Sequence, residues 1–222
     1  MAEKLKRAQL SKDTILSAAI IVARREGVDF TMRALGKELN AWPNVVYDHF
    51  PTKLELQHAL LDLIIDGALT DDVVARFVDT SEDWGERLKT FSLELFDHLS
   101  KYRGVGHLIT HHGAAGPPNV VRLVTLCLNH LMEKGLSLER ATIIFQVLTF
   151  FAAEMGDLEA ATRDGLITIN ATEAKTSKGE SEDAFQYFMR TSITIPVRER
   201  LRAGLDLFIA AVIAETSVST SA

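Results

Sequence analysis

The spacing of apolar residues along this chain is helical almost throughout. Between Leu10 and Arg25, an apolar stripe runs from Ile15 to Ala23 at intervals of three and four residues, which is the spacing of one helix face. Ser11 is a suitable N-cap for this helix, and Gly27 is a suitable residue just beyond its end. Strand signals are weak, because the β-branched residues also stand at helical spacing. The pattern therefore predicts an all-α protein.

Two short helical segments follow the first helix, and a tight turn joins them. We expect Thr31 to cap a helix from Met32 to Leu39, and Asn40 to take the turn in the left-handed conformation. Pro43 suits the first position of the next helix, where its missing N–H costs nothing. This pair is typical of a helix-turn-helix, whose second helix enters the DNA major groove. The alternative is a helical hairpin without a DNA role.

Thr52 and Glu55 have the spacing of a capping box, which predicts a fourth helix to about Gly67. The rest of the chain predicts helices over Trp84–Lys101, part of Tyr102–Gly116, Pro118–Lys134, Leu138–Arg163 (capped by Ser137), about Ala184–Met189, and Pro196–Glu215. Residues 164–183 are polar and aperiodic, which predicts a loop, and the tail 216–222 is expected to be disordered.

Charge is distributed unevenly along the chain, although the whole protein has a formal net charge of -6. Residues 1–55 hold 9 Lys and Arg against 7 Asp and Glu, whereas residues 56–222 hold 15 against 23. A mildly basic first part on an acidic body is suited to local DNA contact.

The cysteine count and the absence of targeting segments indicate the cellular compartment and exclude a disulfide. The single cysteine, Cys127, excludes an intrachain disulfide and lies in an apolar helix pattern, which predicts a buried structural thiol. Neither a signal peptide nor an uncharged apolar stretch of about 18 residues is visible, so we expect a cytoplasmic protein without a membrane span.

The first 67 residues resemble the DNA-binding domain of the TetR family of bacterial transcriptional repressors. The matching segments are ILSAA, the glycine at position 27, TMRALGKEL and VVYDHFPTKLEL, and the spacing of Tyr47, His49, Phe50 and Lys53 is the most specific part. The later order of helices is similar, in layout and a few residues, to the body of the tetracycline-repressor branch. The resemblance implies a helix-turn-helix domain at 1–67, with three helices followed by a linking helix. It also implies a larger helical ligand-binding and dimerisation domain at 68–222.

Two positions depart from the family pattern. The family usually has Gly in the turn, where this chain has Asn40, and a small or polar cap before the recognition helix, where this chain has Trp42. Tryptophan caps poorly, and its bulk changes which base edges the helix can reach. The operator sequence is therefore less transferable than the DNA-binding function.

The resemblance, together with residue chemistry, predicts specific DNA contacts. Lys53 and Thr31 are expected to hold phosphates at helix N-termini, and Arg33 to contact a guanine. The full set of predicted contact residues is Thr31, Arg33, Trp42, Pro43, Asn44, Tyr47, Asp48, His49 and Lys53.

Some of these positions have alternative interpretations. Tyr47 is either a backbone contact or a core residue with an exposed hydroxyl, and Asp48 either accepts from a cytosine amine or faces solvent. Val46 and Phe50 are expected in the core. The basic arm Lys4, Lys6 and Arg7 either contacts DNA or is only solvated.

The larger domain is expected to hold an apolar pocket between helices. The candidate lining residues, for each of which plain core packing is the alternative, are Leu95, Leu99, His107, His111, Leu126, His130, Phe150, Phe151 and Met155. No metal or other cofactor is predicted, because the neighbouring His111 and His112 point apart on a helix and no Cys or carboxylate completes a site.

The predicted function is a homodimeric repressor that a small apolar molecule releases from double-stranded operator DNA. Excess apolar surface on Leu138–Arg163 and on the last helix predicts the dimer interface. The alternatives are an all-helical enzyme or a protein-binding helical module. We do not expect an enzyme, since no paired Glu-x-x-His, nucleophile elbow or phosphate-binding glycine loop occurs.

Overall fold

A computed structural model describes residues 10–79, 83–112, 117–167 and 194–219, and these residues form helices and their connections without a strand. In chain order the helices are α1 Lys12–Glu26, α2 Met32–Glu38, α3 Pro43–Tyr47, α4 Lys53–Ala68, α5 Asp71–Val78, α6 Trp84–Leu99, α7 Val105–His112, α8 Pro118–Glu133, α9 Leu138–Arg163 and α10 Val197–Ser219. The all-α prediction is confirmed.

The predicted caps form as the sequence indicates. Ser11, Thr31, Thr52 and Ser137 each accept a hydrogen bond from the backbone N–H three residues later, at 3.1 to 3.2 Å. These bonds satisfy N–H groups that have no partner within the helix, so they define where α1, α2, α4 and α9 begin.

Two groups of helices meet at α4. The first group is small, with α1 packed on α2 and α4, and α2 packed on α3. The second is built around α9, which contacts α6, α7, α8 and α10. Since α4 contacts α1 on one side and α6, α7 and α8 on the other, it links the two groups. The division into domains at residue 67 stays a prediction.

Small residues on α9 allow close helix packing. Ala141, Ala152, Ala153 and Ala160 are completely buried. At Gly106 of α7, a Cβ atom would lie 2.6 Å from the Ala153 carbonyl oxygen, so α7 crosses α9 at a distance that only glycine permits. The crossing point of α7 and α9 is therefore set by Gly106 and Ala153.

Three features differ from the sequence-based predictions or lie beyond them. The helix Asp71–Val78 was not predicted, because at eight residues it is too short to establish a period. The last helix continues through residue 219, so the expectation of a disordered tail from residue 216 is wrong for its first four residues. The basic arm, the short helix at 184–189 and most of the loop at 164–183 lie outside the described residues.

Helix α9 is long and apolar enough to cross a membrane by length and composition alone. Ile144 and Leu148 are nevertheless buried in the protein core, and the helix is packed on four others. A helix at the centre of a protein core can have the same length and apolar composition as a membrane-spanning helix. Cys127 is buried as predicted, and burial raises the pKa of its thiol to about 12.

Candidate DNA-binding face and ligand cavity

The turn between α2 and α3 is fixed by backbone geometry. Asn40 adopts a φ of 49°, the left-handed conformation predicted for it, and the Ala41 N–H donates to the Gly36 carbonyl oxygen at 2.8 Å. Pro43 then begins α3, while Trp42 occupies the N-cap without a side-chain capping bond. The chain thus forms two short helices joined by a tight turn.

Gly36 is what allows this turn to close. It is buried on α2, and a Cβ there would lie 2.9 Å from the Ala41 carbonyl oxygen and 3.4 Å from the Pro43 ring. The obstructing atom belongs to the backbone, so it cannot rotate away. The close approach of α2 and α3 therefore depends on glycine inside α2 rather than in the turn.

The predicted contact residues lie on or next to these two helices, apart from Lys53 at the start of α4, and most of them are exposed. Thr31, Arg33, Trp42, Asn44, Tyr47 and Asp48 are exposed, and Pro43, His49 and Lys53 are half-buried. Trp42 is 63% exposed and Tyr47 is 44% exposed, which is high for aromatic residues. The other side of α3 faces the core, where Val46 and Phe50 are buried as predicted.

Lys53, at the first position of α4, is engaged with the loop after α1. Its Nζ donates to the Asp29 carbonyl oxygen at 3.2 Å and lies 3.4 Å from Asp29 Oδ1. Gln57 Nε2 also donates to Asp29 Oδ1, at 3.0 Å. The Asp29 side chain is 77% exposed, so water screens this pair and the Lys53 ammonium can exchange Asp29 for another anion.

A cavity of about 210 Å³ lies between α4 and the helices around α9. Its lining is mainly apolar and comprises Leu61, Ile65, Leu95, Ile109, Thr110, Val120, Leu123, Val124, Leu128, Thr142, Phe145, Gln146, Thr149 and Phe150. Of the predicted pocket residues, Leu95 and Phe150 belong to this lining.

The other predicted pocket residues lie elsewhere. Leu99 is completely buried in the core. His107 is exposed on α7, where its backbone N–H donates to Asp157 Oδ2 at 3.0 Å. Phe151 packs against Gly204 of α10, and the half-buried Met155 packs against the core.

Two more of the predicted residues, Leu126 and His130, line a separate cavity near the end of α8. His111 lies on α7, and its side chain is outside the described part of the structure.

Sequence reasoning missed most of the cavity lining, although one signal was readable. Thr142, Gln146 and Thr149 stand at i, i+4 and i+7 on α9, which makes a polar stripe in the otherwise apolar segment 141–153 of this helix. All three line the cavity, so they supply its hydrogen-bonding groups. Leu61 and Ile65 of α4 also line the cavity, and the sequence could not show this because it depends on how α4 crosses the other helices.

The connection between α6 and α7 joins α1 to α9 through hydrogen bonds. Arg24 of α1 donates from Nε and Nη2 to the Tyr102 hydroxyl, at 3.2 and 3.1 Å. The Val28 N–H donates to the Arg103 carbonyl oxygen at 2.8 Å. From the other side, Asp157 of α9 accepts from the Gly104 N–H at 2.8 Å. Tyr102, Arg103 and Gly104 thus connect α1 and the loop after it with α9 through hydrogen bonds.

A second link joins α4 to α8. Asp62 accepts from the Asn119 backbone N–H at 2.6 Å and from its side-chain amide at 3.2 Å. Nearby, His98 of α6 lies against Gly67, and burial, reinforced by the charge of Lys101, lowers the pKa of His98 to about 4. This side chain is therefore neutral at pH 7 and packs on α4 as an uncharged group.

Comparisons with known proteins agree with this architecture. Residues 15–60 match the sequence model of the family described as bacterial regulatory proteins, tetR family. No curated protein sequence matched the chain significantly.

Several solved structures share the fold over nearly the whole chain. ActR from Streptomyces coelicolor in complex with actinorhodin has 22% identity and a TM-score of 0.70, over 93% of this chain and 98% of that chain. A possible TetR family transcriptional regulator from Streptomyces coelicolor A3(2) has 20% identity and a TM-score of 0.74, over 92% and 99%. A variant TetR from Acinetobacter baumannii AYE in complex with minocycline has 20% identity and a TM-score of 0.66, over 94% and 99%.

The fold and the exposed helix pair define a helix-turn-helix DNA-binding protein. The match over residues 15–60 shows a DNA-binding domain of the tetR family type in that part of the chain, and the solved structures share the fold over nearly the whole chain.

Proposed function

We propose that this chain is a homodimeric repressor that leaves its operator when a small, mostly apolar molecule occupies the cavity beside α4. One observation carries the proposal. Leu61 and Ile65 line the cavity, and they belong to the helix that begins at Lys53, the predicted phosphate contact. A molecule in the cavity therefore touches the helix that positions the DNA-binding residues.

The cavity defines the kind of molecule. An apolar cavity of roughly 150 Å³ holds benzene, so about 210 Å³ accommodates a molecule of one or two rings. The walls are mainly apolar, while Thr142, Gln146 and Thr149 offer hydrogen bonds along one side. An apolar ligand with one or two polar groups fits this lining. The related ActR and TetR structures hold actinorhodin and minocycline, which supports a small-molecule ligand here.

The mechanism is a shift between two arrangements of α4. A ligand that binds better when α4 is displaced favours that arrangement, in which the two recognition helices of a dimer no longer match successive major grooves. The Asp62 bonds to Asn119 and the Arg24 bonds to Tyr102 couple the helices that must move together. Coupling of this kind is typically ~1–3 kcal/mol, or about 5–150-fold in affinity.

The coupling is testable with the DNA upstream of the coding region, where we expect an inverted repeat. Compounds that raise the unfolding temperature of the protein are titrated into the protein–operator complex, and operator affinity is measured by fluorescence anisotropy. By reciprocity, an effective compound must bind less tightly when operator is present. Thr149→Val keeps the volume of a buried lining residue but removes its hydroxyl, so it should weaken the compound and leave operator affinity unchanged.

Compounds that stabilise the protein without altering operator affinity would contradict ligand control. A protein-binding module is distinguished by salt dependence, because phosphate contacts give a steep fall of affinity with salt whereas a module without DNA contact gives none. The proposal includes a cytoplasmic location, no enzymatic activity and no required cofactor.

The dimer is proposed to form through α9 and α10. Exposed apolar side chains follow one side of α9 at Ile143, Val147 and Phe150, and Leu207 of α10 is 78% exposed. The residues at helical spacing from Leu207, on the same side of α10, are exposed alanines: Ala203, Ala210, Ala211 and Ala214. Small residues on an exposed helix face allow a second helix to approach closely, and an apolar face of this kind is unfavourable in water.

Leu207→Arg is expected to give a monomer. Burying one leucine contributes ~1.5–3 kcal/mol, and both copies of Leu207 are lost in a symmetric dimer. Size-exclusion chromatography with light scattering measures the mass, and Val121→Arg, at an exposed apolar position on α8, is the matched control. A wild-type protein that is monomeric at micromolar concentration would refute the dimer.

Ile209, also on α10, is unsuitable for this test because it is part of the core of the subunit. Ile209 is only 5% exposed and lies against Gly85 of α6 inside the subunit. Leu207 and Ile209 are two residues apart on α10, so their side chains point to different sides of the helix. Ile209 faces the core of the subunit, and Leu207 faces solvent.

A further inference from the structure

The second cavity, near the end of α8, has features that the DNA-binding function does not use. Its volume is about 340 Å³, and both Arg87 and His130 line it. Arg87 is 4% exposed and His130 is 5% exposed, so two basic side chains are buried at one place. Basic residues are rarely buried unless they have a partner that compensates for lost hydration.

Arg87 is only partly compensated. Its Nη1 donates to the carbonyl oxygens of Phe77 and Asp79 at the end of α5, at 3.2 Å for Phe77. Its Nε is buried without a hydrogen-bond partner, and no ion pair of Arg87 occurs among the residues that the structure describes. A buried guanidinium without a carboxylate is costly, so the site favours an incoming anion.

His130 is in the same situation. Its ring packs against Phe77 in a tilted arrangement with a centroid distance of 4.6 Å, and its buried Nε2 has no hydrogen-bond partner. Burial lowers the pKa of His130 to about 4, and the charges of Arg87 and Lys134 contribute in the same direction. The imidazole is therefore neutral, and one of its nitrogens carries a hydrogen that can be donated.

The remaining lining determines the charge and shape of the ligand. Lys134 adds a second positive charge, Glu133 supplies one negative charge, and Asn129 adds an amide. Two cations against one carboxylate leave about one positive charge, which suits a monoanion better than a dianion such as phosphate. Val78 and Leu126 provide apolar wall, so the anion is expected to carry an apolar body.

We propose that this second cavity binds a small organic monocarboxylate, with the carboxylate between Arg87 and His130 and its apolar part against Val78 and Leu126. The planar guanidinium and a neutral N–H donor match a carboxylate in geometry and charge. The site is distinct from the cavity beside α4, and the proposal does not depend on ligand control of DNA binding.

The test uses benzoate as the probe and the full-length protein. Isothermal titration should show benzoate binding, with the neutral isostere benzamide and inorganic phosphate each at least about tenfold weaker, because hydrogen bonds to charged groups are the stronger ones. The ring signals of His130 in NMR spectra should shift with benzoate and not with benzamide. Equal affinity for benzoate and benzamide, or an unperturbed His130, would overturn the proposal.

Adjacent residues on the rim provide a matched pair of variants with opposite expected effects. Glu133→Gln should strengthen benzoate binding and Lys134→Gln should weaken it, each about two- to fivefold, as is typical for partly solvated charges. His130→Phe retains the aromatic contact with Phe77 and should weaken binding about tenfold. Glu199→Gln, on α10, should change nothing.

Binding at the first cavity is a separate outcome that the design can detect. Val124→Phe fills the cavity beside α4 and leaves the second one intact. Benzoate affinity should be retained in this variant. If Val124→Phe abolishes binding while His130→Phe does not, benzoate occupies the first cavity and the proposal is wrong.

Discussion

The helix-turn-helix depends on a glycine inside α2, which makes Gly36→Ala an informative substitution. In a helix interior, alanine is favoured over glycine by ~1 kcal/mol. At Gly36 the new Cβ would instead meet the Ala41 carbonyl oxygen at 2.9 Å, and separating the two groups would break the hydrogen bond from the Ala41 N–H to the Gly36 carbonyl oxygen.

The two effects differ enough in size to decide the sign. Overpacking costs ~1–3 kcal/mol, and the broken backbone bond costs ~0.5–1.5 kcal/mol. After the helix-propensity gain is subtracted, Gly36→Ala should destabilise the DNA-binding helices by about 0.5–3.5 kcal/mol. Thermal unfolding followed by circular dichroism should show a fall of ~1–14 °C. DNA affinity should fall as well, because α3 is displaced.

Gly67→Ala is the matched control, since it is also a helical glycine. Its Cβ would lie 3.0 Å from Cε1 of His98, which is the end of a side chain and can move. The propensity gain should therefore prevail, and stability should rise by up to ~1 kcal/mol. If Gly36→Ala is as stable as the wild type and binds DNA equally well, the turn does not require this close approach.

Three further predictions concern DNA contacts and pH. Lys53→Ala should weaken binding to all DNA sequences and reduce the slope of log affinity against log salt by about one unit. Asp29→Asn removes the carboxylate that competes with phosphate for Lys53, so it should strengthen DNA binding and leave the slope as in the wild type. Arg33→Ala and Asn44→Ala should each relax base preference at one position by ~1–3 kcal/mol, measured with a set of single-substitution operators; uniform weakening would make them positioning contacts only. Because the pKa of His130 is lowered in the folded protein, the unfolded state binds the proton first as the pH falls, so the free energy of unfolding should decrease from about pH 6.5 towards pH 4, on the order of 1 kcal/mol per pH unit. His130→Phe should reduce this dependence on pH, measured by urea unfolding. An identical dependence in the variant would exclude His130 as its source.

Much of the DNA-binding domain could be read from the sequence, because local chemistry determines it. Ser11, Thr31 and Thr52 cap their helices through contacts within three residues, and Asn40 adopts the left-handed turn that its side chain tolerates. The core positions Val46 and Phe50 follow from helical spacing. Contacts of such short range are encoded by the residues themselves.

The cavity could not be read in the same way. The sequence marked α6 to α9 as apolar, but an apolar helix position becomes core or cavity wall according to how neighbouring helices cross. Leu95 lines the cavity whereas Leu99, one turn later, is completely buried in the core. The polar stripe on α9 was visible in the sequence, yet its meaning depended on its facing α4 across a gap.

The sequence by itself thus determined most of the helices, their caps and the helix-turn-helix, because these depend on residues close together in the chain. Only the tertiary structure decided that α4 forms one wall of the cavity and that Arg24 reaches Tyr102. It also decided that Arg87 and His130, on different helices, are buried together. The physical reason is that these arrangements arise from the packing of helices far apart in sequence, where a small rotation of one helix exchanges buried and exposed positions.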